Sequence, residues 1–138
     1  MSFVLDSSVA LAWCFEDERT PATTALLHRV GETGAAAPQH WPLEALNGLM
    51  MAERRKRVDA TRRKQLAGFL HDLPITLDPE TIAHVWTTTQ VLAERFRLTV
   101  YDAAYLELAQ RRTLPLATLD QELRDAGAAL GVTLLGSG

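Results

Sequence analysis

The stretch SFVLDSSVALAWCF, residues 2–15, sets a short apolar run directly before a segment of helical character. We predict a β-strand at residues 2–5 and a helix at 8–15, with Asp6 at the junction. The rest of the chain repeats this alternation of short apolar runs and longer segments with helical periodicity. The alternation is typical of an α/β domain with a mostly parallel central sheet, here of about four or five strands.

The same criteria place the remaining elements. Further strands are predicted at residues 35–37, 75–77, 115–118 and 132–134, and further helices at 20–31, 42–57, 60–72, 79–95, 101–111 and 121–130. Two of these helices carry apolar residues at helical spacing, which predicts faces that pack on the core and bind no ligand. The residues are Ile82, Val85, Trp86 and Leu92 in the first, and Ala104, Tyr105 and Leu108 in the second.

Length and composition predict a single domain spanning residues 1–138. The chain is 47% apolar and 22% charged, which is ordinary for a globular protein. No apolar segment is long enough to span a bilayer, and no signal peptide is apparent, so we expect no membrane association and a cytoplasmic location. The single cysteine, Cys14, excludes an internal disulfide and is expected to be a small buried apolar residue.

Four acidic residues occur where a strand gives way to a helix or where a helix begins. They are Asp6, Glu44, Asp102 and Asp120. Side chains at the carboxyl ends of parallel strands face the crevice in which open α/β sheets bind ligands. Carboxylates that converge there repel one another unless they share protons or bind a cation. Because Mg²⁺ prefers such oxygen ligands, the pattern favours a metal-dependent site for phosphate chemistry.

Each acid also has a structural interpretation that the residues alone leave open. Asp6 could cap the helix at 8–15, and Glu44 suits the positive end of a helix that starts near Pro42. Thr99 to Asp102 matches a capping box, and Thr118 to Gln121 has the same form.

Basic residues are concentrated between positions 54 and 64, although the net charge is −3. Seven of the fourteen basic residues lie there: Arg54, Arg55, Lys56, Arg57, Arg62, Arg63 and Lys64. Such a patch can neutralise phosphates through its local field even on an acidic protein. The competing interpretation of the basic patch is a solvated helix end plus loop. The acidic run Glu16–Glu18 is expected to be a solvated helix end rather than an extension of the acidic site.

The sequence motifs around the four acids resemble those of the PIN-domain nucleases, in particular the VapC toxins of toxin–antitoxin pairs. The resemblance rests on FVLDSSVALAW, on Glu44 and Asn47 in E-x-x-N, on YDAAYLELA, and on ATLDQEL, in this order over almost the whole chain. It implies a three-layer α/β/α fold. It also implies that Asp6, Glu44, Asp102 and Asp120 form an acidic site for Mg²⁺ or Mn²⁺, with Ser8, Asn47 and Thr118 as supporting polar residues.

The activity implied is hydrolysis of RNA phosphodiester bonds by water activated at one or two cations, which leaves a 5′-phosphate and a 3′-hydroxyl. Attack by the RNA 2′-hydroxyl would require a pair of histidines as acid and base. No spacing in the sequence pairs the four histidines, which are His28, His40, His71 and His84. His40 is expected to be a surface or loop residue. Arg54, Arg55 and Arg57 are the expected RNA-binding residues. Family membership further implies a VapB-type antitoxin that crosses the active-site groove, and a homodimer.

Two other functions compete with this one. A phosphoaspartate-type phosphatase also has an aspartate after its first strand, but it requires a second one two residues later, where this chain has Ser8. A catalytically inactive PIN-like module for RNA binding or protein interaction would usually have lost some of the acids, because buried carboxylates without a role are costly. A P-loop enzyme is excluded by the absence of G-x-x-x-x-G-K-[ST].

Overall fold

The central feature of the computed structural model, which describes residues 2–137, is a five-stranded sheet. Its strands are β1 (Val4–Leu5), β2 (Ala35–Ala37), β3 (Ile75–Leu77), β4 (Leu116–Ala117) and β5 (Leu134–Leu135). The spatial order is β3-β2-β1-β4-β5 and every pairing is parallel. The predicted α/β class is confirmed, and the sheet is entirely rather than mostly parallel.

Helices connect the strands, as parallel pairing requires. They are α1 (Ser7–Cys14), α2 (Pro21–Thr33), α3 (Trp41–Arg54), α4 (Ala60–Asp72), α5 (Gln90–Phe96), α6 (Val100–Arg112) and α7 (Gln121–Ala129). Their contacts divide them into two groups, since α1 packs on α2 and α3, and α3 on α4, whereas α6 packs on α5 and α7. No helix within residues 2–137 is long and apolar enough to cross a membrane.

The core lies against both faces of the sheet. Phe3, Val4 and Leu5 are fully buried, and so are Leu116 and Ala117 of the neighbouring strand. From α6, the predicted apolar face of Ala104, Tyr105 and Leu108 packs into this core, which confirms that prediction. Cys14 is buried as expected, and burial raises the pKa of its thiol to about 11.

The chain reverses its direction of travel across the sheet beside β1, and this reversal positions the site. From β1 the chain adds β2 and β3 on one side, then returns to add β4 and β5 on the other. The carboxyl ends of β1 and β4 therefore flank a topological switch point, where open α/β sheets bind ligands. Asp6 directly follows β1 and Thr118 directly follows β4.

Most helix ends follow local sequence signals. After α7, Gly131 has a positive φ of 74°, and Val132 N–H donates to the Gly127 carbonyl in a Schellman arrangement. The α3 helix ends at Arg54, earlier than the predicted residue 57, because Lys56 adopts a left-handed conformation with a φ of 63°. Arg57 N–H closes the same motif on the Ala52 carbonyl, so Arg55 to Arg57 lie in a turn.

The predicted core face of the 79–95 segment is wrong. The segment begins with a 3₁₀ turn (Ile82–His84) and a π-helical turn (Val85–Thr89) before regular α5 starts. A π turn holds more residues than an α turn, so side chains at α-helical spacing rotate away from one face. Ile82 and Trp86 are consequently 66% and 84% exposed, and of the four predicted residues Leu92 alone reaches the buried core.

Candidate active site

Asp6 occupies the centre of the switch point. Its carboxylate is buried, and its Oδ2 accepts hydrogen bonds from Ser8 Oγ at 2.6 Å and Thr118 Oγ1 at 2.7 Å. Asp6 holds the N-cap position of α1 but makes no side-chain capping bond, so its capping interpretation is wrong. Burial raises the pKa of Asp6; the two hydroxyls oppose the rise, and the charges of Glu44 and Asp120 add to it.

Ser8 and Thr118 belong to a network that joins the ends of β1 and β4. Ser8 Oγ accepts from Leu119 N–H at 3.0 Å, and Thr118 Oγ1 accepts from Asp120 N–H at 3.1 Å. Each hydroxyl thus receives a backbone proton and donates its own to Asp6. Both donate to Oδ2, so Oδ1 accepts no hydrogen bond from the residues that the structure describes.

Asp102 lies in the first turn of α6, where Thr99 Oγ1 accepts from its N–H at 3.1 Å. The predicted cap by Thr99 is therefore present. Burial, followed by the charges of Asp6, Asp120 and Glu44 in that order, raises the pKa of the Asp102 carboxyl to about 6. A repulsion that involves all four acids requires them to face a common region.

Asp120 is the N-cap of α7, and its Oδ1 accepts from Leu123 N–H at 3.0 Å. The capping box predicted from Thr118 to Gln121 is wrong, because Thr118 turns to Asp6 and Gln121 donates instead to Asp125. Asp120 therefore combines a capping role with a position beside the other acids. A carboxylate has more than one oxygen, so one contact does not exclude the other.

Glu44 reaches the acidic region from the first turn of α3. Its Oε1 accepts from the Tyr105 hydroxyl at 2.6 Å and lies 3.6 Å from His40 Nε2. The same His40 nitrogen lies 3.0 Å from the Tyr101 carbonyl oxygen. Because a carbonyl can only accept, Nε2 carries the proton, which fixes the tautomer of a neutral His40.

Tyr105 and His40 were not among the predicted site residues. The apolar spacing predicts Tyr105 on the core face of its helix, and Tyr105 is fully buried, yet its hydroxyl donates to Glu44 Oε1. His40, expected to be a surface or loop residue, has a side chain only 18% exposed, and its ring packs edge-on against Tyr105. The spacing of Tyr105 from Asp102, three residues along one helix, was a signal that could have indicated Tyr105.

Asn47 follows Glu44 by one helical turn and is exposed. Its side chain makes no hydrogen bond to any residue in the described part of the chain. The structure therefore places it on the helix that carries Glu44 but not in contact with the acids.

The donor set suits a hard divalent cation. It consists of carboxylate oxygens, which Mg²⁺ and Mn²⁺ prefer, and one Asp6 oxygen accepts no hydrogen bond from residues 2–137. Within residues 2–137, no three acidic, histidine or cysteine side chains lie close enough to enclose a cation as they stand. Carboxylates without a counter-charge repel each other, and a cation that keeps several of its waters needs few direct protein ligands.

The predicted RNA-binding residues lie at the other end of α3 from Glu44, about 15 Å away at 1.5 Å per residue. Arg54 and Arg55 are exposed, and Arg54 points one nitrogen at the Met51 sulfur. Arg57 is engaged within the protein: it pairs with Asp17 and Glu18 at 3.0 Å each and lies 4.1 Å from the centre of the Phe15 ring. The acidic run Glu16–Glu18 is exposed, as expected.

This arrangement defines an α/β protein with acidic side chains gathered around the switch point of a parallel sheet. The family model described as PIN domain matches residues 3–129. The chain therefore belongs to the PIN domain family, which confirms the resemblance seen in the sequence.

Solved structures show the same fold. PAE2754 from Pyrobaculum aerophilum is 24% identical with a TM-score of 0.70, over 97% of this chain and 83% of that one. FitAcB from Neisseria gonorrhoeae is 15% identical with a TM-score of 0.68, over 97% and 96%. VapBC2 from Rickettsia felis, bound to a DNA fragment from its promoter, is 13% identical with a TM-score of 0.67, over the full length of both. No curated protein matches the chain in sequence.

Proposed function

We propose that the protein is a metal-dependent endoribonuclease and the toxin of a toxin–antitoxin pair. The observation that carries the proposal is the electrostatic coupling of Asp6, Glu44, Asp102 and Asp120 at the switch point of a PIN domain. Burial and the charges of neighbouring acids raise the pKa of Asp6 and of Asp102, so these charged carboxylates cost folding energy unless they serve a positively charged ligand. A divalent cation bound by these carboxylates would supply that charge.

The four carboxylates would hold one or two Mg²⁺ or Mn²⁺ ions. When bound, the cation supplies Lewis-acid activation of water and charge neutralisation at the phosphate. Ser8 and Thr118 fix the orientation of Asp6 by donating to one of its oxygens, which directs the other oxygen towards the ligand. Asn47 is assigned a supporting role on the exposed face of α3.

Hydrolysis by water is favoured over attack by the RNA 2′-hydroxyl. The second route needs histidines that act as acid and base. His40 is the histidine nearest the acids, and its Nε2 proton is directed at the Tyr101 carbonyl. The products are accordingly expected to carry a 5′-phosphate and a 3′-hydroxyl.

RNA binding is assigned to the basic end of α3, primarily to Arg54 and Arg55. Arg57 would contribute after exchanging its contacts with Asp17 and Glu18 for phosphate. Changing Arg54 and Arg55 to glutamine should weaken RNA binding and lower the salt slope by about one for each lost phosphate contact. Arg112→Gln, an exposed arginine on another helix, is the control. An unchanged salt slope would remove this patch from the mechanism.

A VapB-type antitoxin is the proposed partner, and a homodimer in the cytoplasm the proposed state. Two of the similar structures, FitAcB and VapBC2, support a toxin–antitoxin context by their fold. Co-expression with a neighbouring antitoxin should restore growth and yield a complex that co-purifies. Growth arrest that no such partner relieves would contradict this assignment.

The activity is tested by incubating the protein with total RNA and Mg²⁺ or Mn²⁺, beside an EDTA control. Asp6→Asn and Asp102→Asn should abolish cleavage, and Glu94→Gln, an exposed acid on α5, should not. The wild-type products should have 5′-phosphate ends.

Cleavage that survives EDTA or both substitutions would overturn the proposal. Cation binding without cleavage of any RNA would support the binding-module alternative.

A further inference from the structure

The chain has two tyrosines, and both lie on α6 beside the acidic region. Tyr101 is 62% exposed, whereas Tyr105 is fully buried with its hydroxyl 2.6 Å from Glu44 Oε1. A buried phenol requires a hydrogen-bond partner, and a carboxylate is a strong acceptor for it. The contact joins α3 to α6 across 61 residues of sequence.

Glu44 depends on this contact more than Asp6 and Asp120 depend on theirs. Two hydroxyls hold Asp6, and the Leu123 N–H holds Asp120 within its own helix turn. Glu44 has a longer side chain with more rotatable bonds, so it loses more conformational freedom when it is fixed. The one hydrogen bond that the Glu44 carboxylate accepts from the described residues comes from Tyr105.

The contact also selects which Glu44 oxygen is available. Tyr105 donates to Oε1, and His40 Nε2 lies 3.6 Å from that same oxygen. The Tyr105 ring packs edge-on against the His40 ring at 5.2 Å, which fixes both groups on one side of Glu44. Oε2 therefore remains for a ligand.

Tyr105 stays a donor at neutral pH. Burial raises the pKa of its hydroxyl strongly, and the charges of Asp6 and Glu44 raise it further. The phenol therefore keeps its proton, and neither a proton transfer nor a charge change at Tyr105 is needed for the contact.

We propose that Tyr105 is a positioning residue: by holding Glu44 Oε1 it directs Oε2 at the divalent cation and so sets the cation affinity of the site. The proposal rests on the proposed function, in that it takes Glu44 as a cation ligand. Partners that orient a metal ligand typically change affinity 10–100-fold when removed. Tyr105 touches the ligand rather than the substrate or the reacting atoms.

The first test is Mn²⁺ affinity without RNA, measured by electron paramagnetic resonance of free Mn²⁺. Tyr105→Phe should weaken binding by about 10-fold or more. Tyr101→Phe removes a hydroxyl from the same helix and should leave the affinity unchanged, since no described residue bonds to that hydroxyl. Equal affinities for wild type and Tyr105→Phe would overturn the proposal.

A double-mutant cycle with Glu44→Ala separates positioning from a merely structural role. If Tyr105 acts through Glu44, Tyr105→Phe should cause no further loss of Mn²⁺ affinity once Glu44 is absent. The same fold-loss in both backgrounds would overturn the proposal. No Mn²⁺ binding by the wild type would instead overturn the cation site itself, and the two failures are thereby distinguished.

A second measurement keeps the Tyr105 hydroxyl in place. In a Tyr101→Phe protein grown with 3-fluorotyrosine, Tyr105 carries the one fluorine label. Its ¹⁹F resonance should shift when Mg²⁺ is added, and it should not shift in the Glu44→Ala version. An unchanged ¹⁹F resonance when Mg²⁺ binds would contradict the proposed link between Tyr105 and the cation through Glu44.

Discussion

Neutralising Asp102 should make the cation-free protein more stable, although it should destroy activity. The Asp102 carboxyl has a pKa of about 6 against an ordinary value of 3.8, because burial and three neighbouring acids disfavour its charge. Above pH 6 the folded protein therefore holds a charge that costs more there than in the unfolded chain. Asp102→Asn removes that cost and keeps the size of the side chain.

The size of the gain follows from the two pKa values. At 1.36 kcal/mol per pKa unit, the gap between 3.8 and about 6 corresponds to about 3 kcal/mol. Asp102 is partly exposed, so solvent screening should reduce this to about 1.5 kcal/mol. Losing a negative charge at the start of α6 costs about 0.5 kcal/mol. The net expectation is a gain of about 1 kcal/mol at pH 7.5.

The sign of the pH dependence is fixed by the raised pKa. The folded protein binds more protons than the unfolded chain between pH 3.8 and about 6, so the wild type loses stability as the pH rises through this window. Asp102→Asn has no such loss. The two proteins should have almost equal free energies of unfolding at pH 4, and the variant should be the more stable of the two above pH 6.

Urea unfolding in EDTA at pH 4 and pH 7.5 measures the difference, and the melting temperature should rise by about 4 °C at the higher pH. Glu94→Gln is the control, because an exposed acid without a partner should change stability by less than about 0.5 kcal/mol. A variant no more stable than wild type at pH 7.5, or a gain independent of pH, would refute the idea that the acids crowd one another.

Two further predictions concern stability away from the site. Arg111→Met should lower the free energy of unfolding in urea by about 3 kcal/mol, because it leaves the buried Asp78 and Glu107 without their cationic partner. The control, Arg112→Met at the exposed neighbouring residue, should cost almost nothing. Equal effects of the two changes would contradict the ion-pair network. Trp86→Gln should change stability by less than about 0.5 kcal/mol, and Leu92→Ala should cost 2 kcal/mol or more, roughly; a large loss for Trp86→Gln would restore its assignment to the core.

Several elements could be predicted because their causes are local. The α2 helix begins at a threonine cap followed by Pro21, and α7 ends just before the left-handed Gly131, near the predicted boundaries. Such signals depend on hydrogen bonds within a few residues. The prediction of a core face in the 79–95 segment is wrong because it requires a regular α-helix. The π turn in this segment changes which side chains face inward.

Contacts between distant residues could not be read from local patterns. Asp78, which directly follows β3, is buried against Arg111 of α6. Burial acts to raise the pKa of Asp78, and hydrogen bonds, first from Arg111, outweigh it and lower that pKa. Asp78 is thus a fifth acid at the carboxyl edge of the sheet, and it pairs with Arg111. It lies apart from the other four acids because β3 is an edge strand, separated from β1 by β2.

The sequence by itself determined the alternation of strands and helices and the placement of four acids at element junctions. The alternation follows from side-chain periodicity, and the junction positions follow from chain order, so neither requires knowledge of distant contacts. The tertiary structure alone decided that Tyr105 ends at Glu44, that Arg57 pairs with acids of its own chain, and that Trp86 faces outward. These outcomes depend on which strands become neighbours and how the helices rotate on them, which no local pattern encodes.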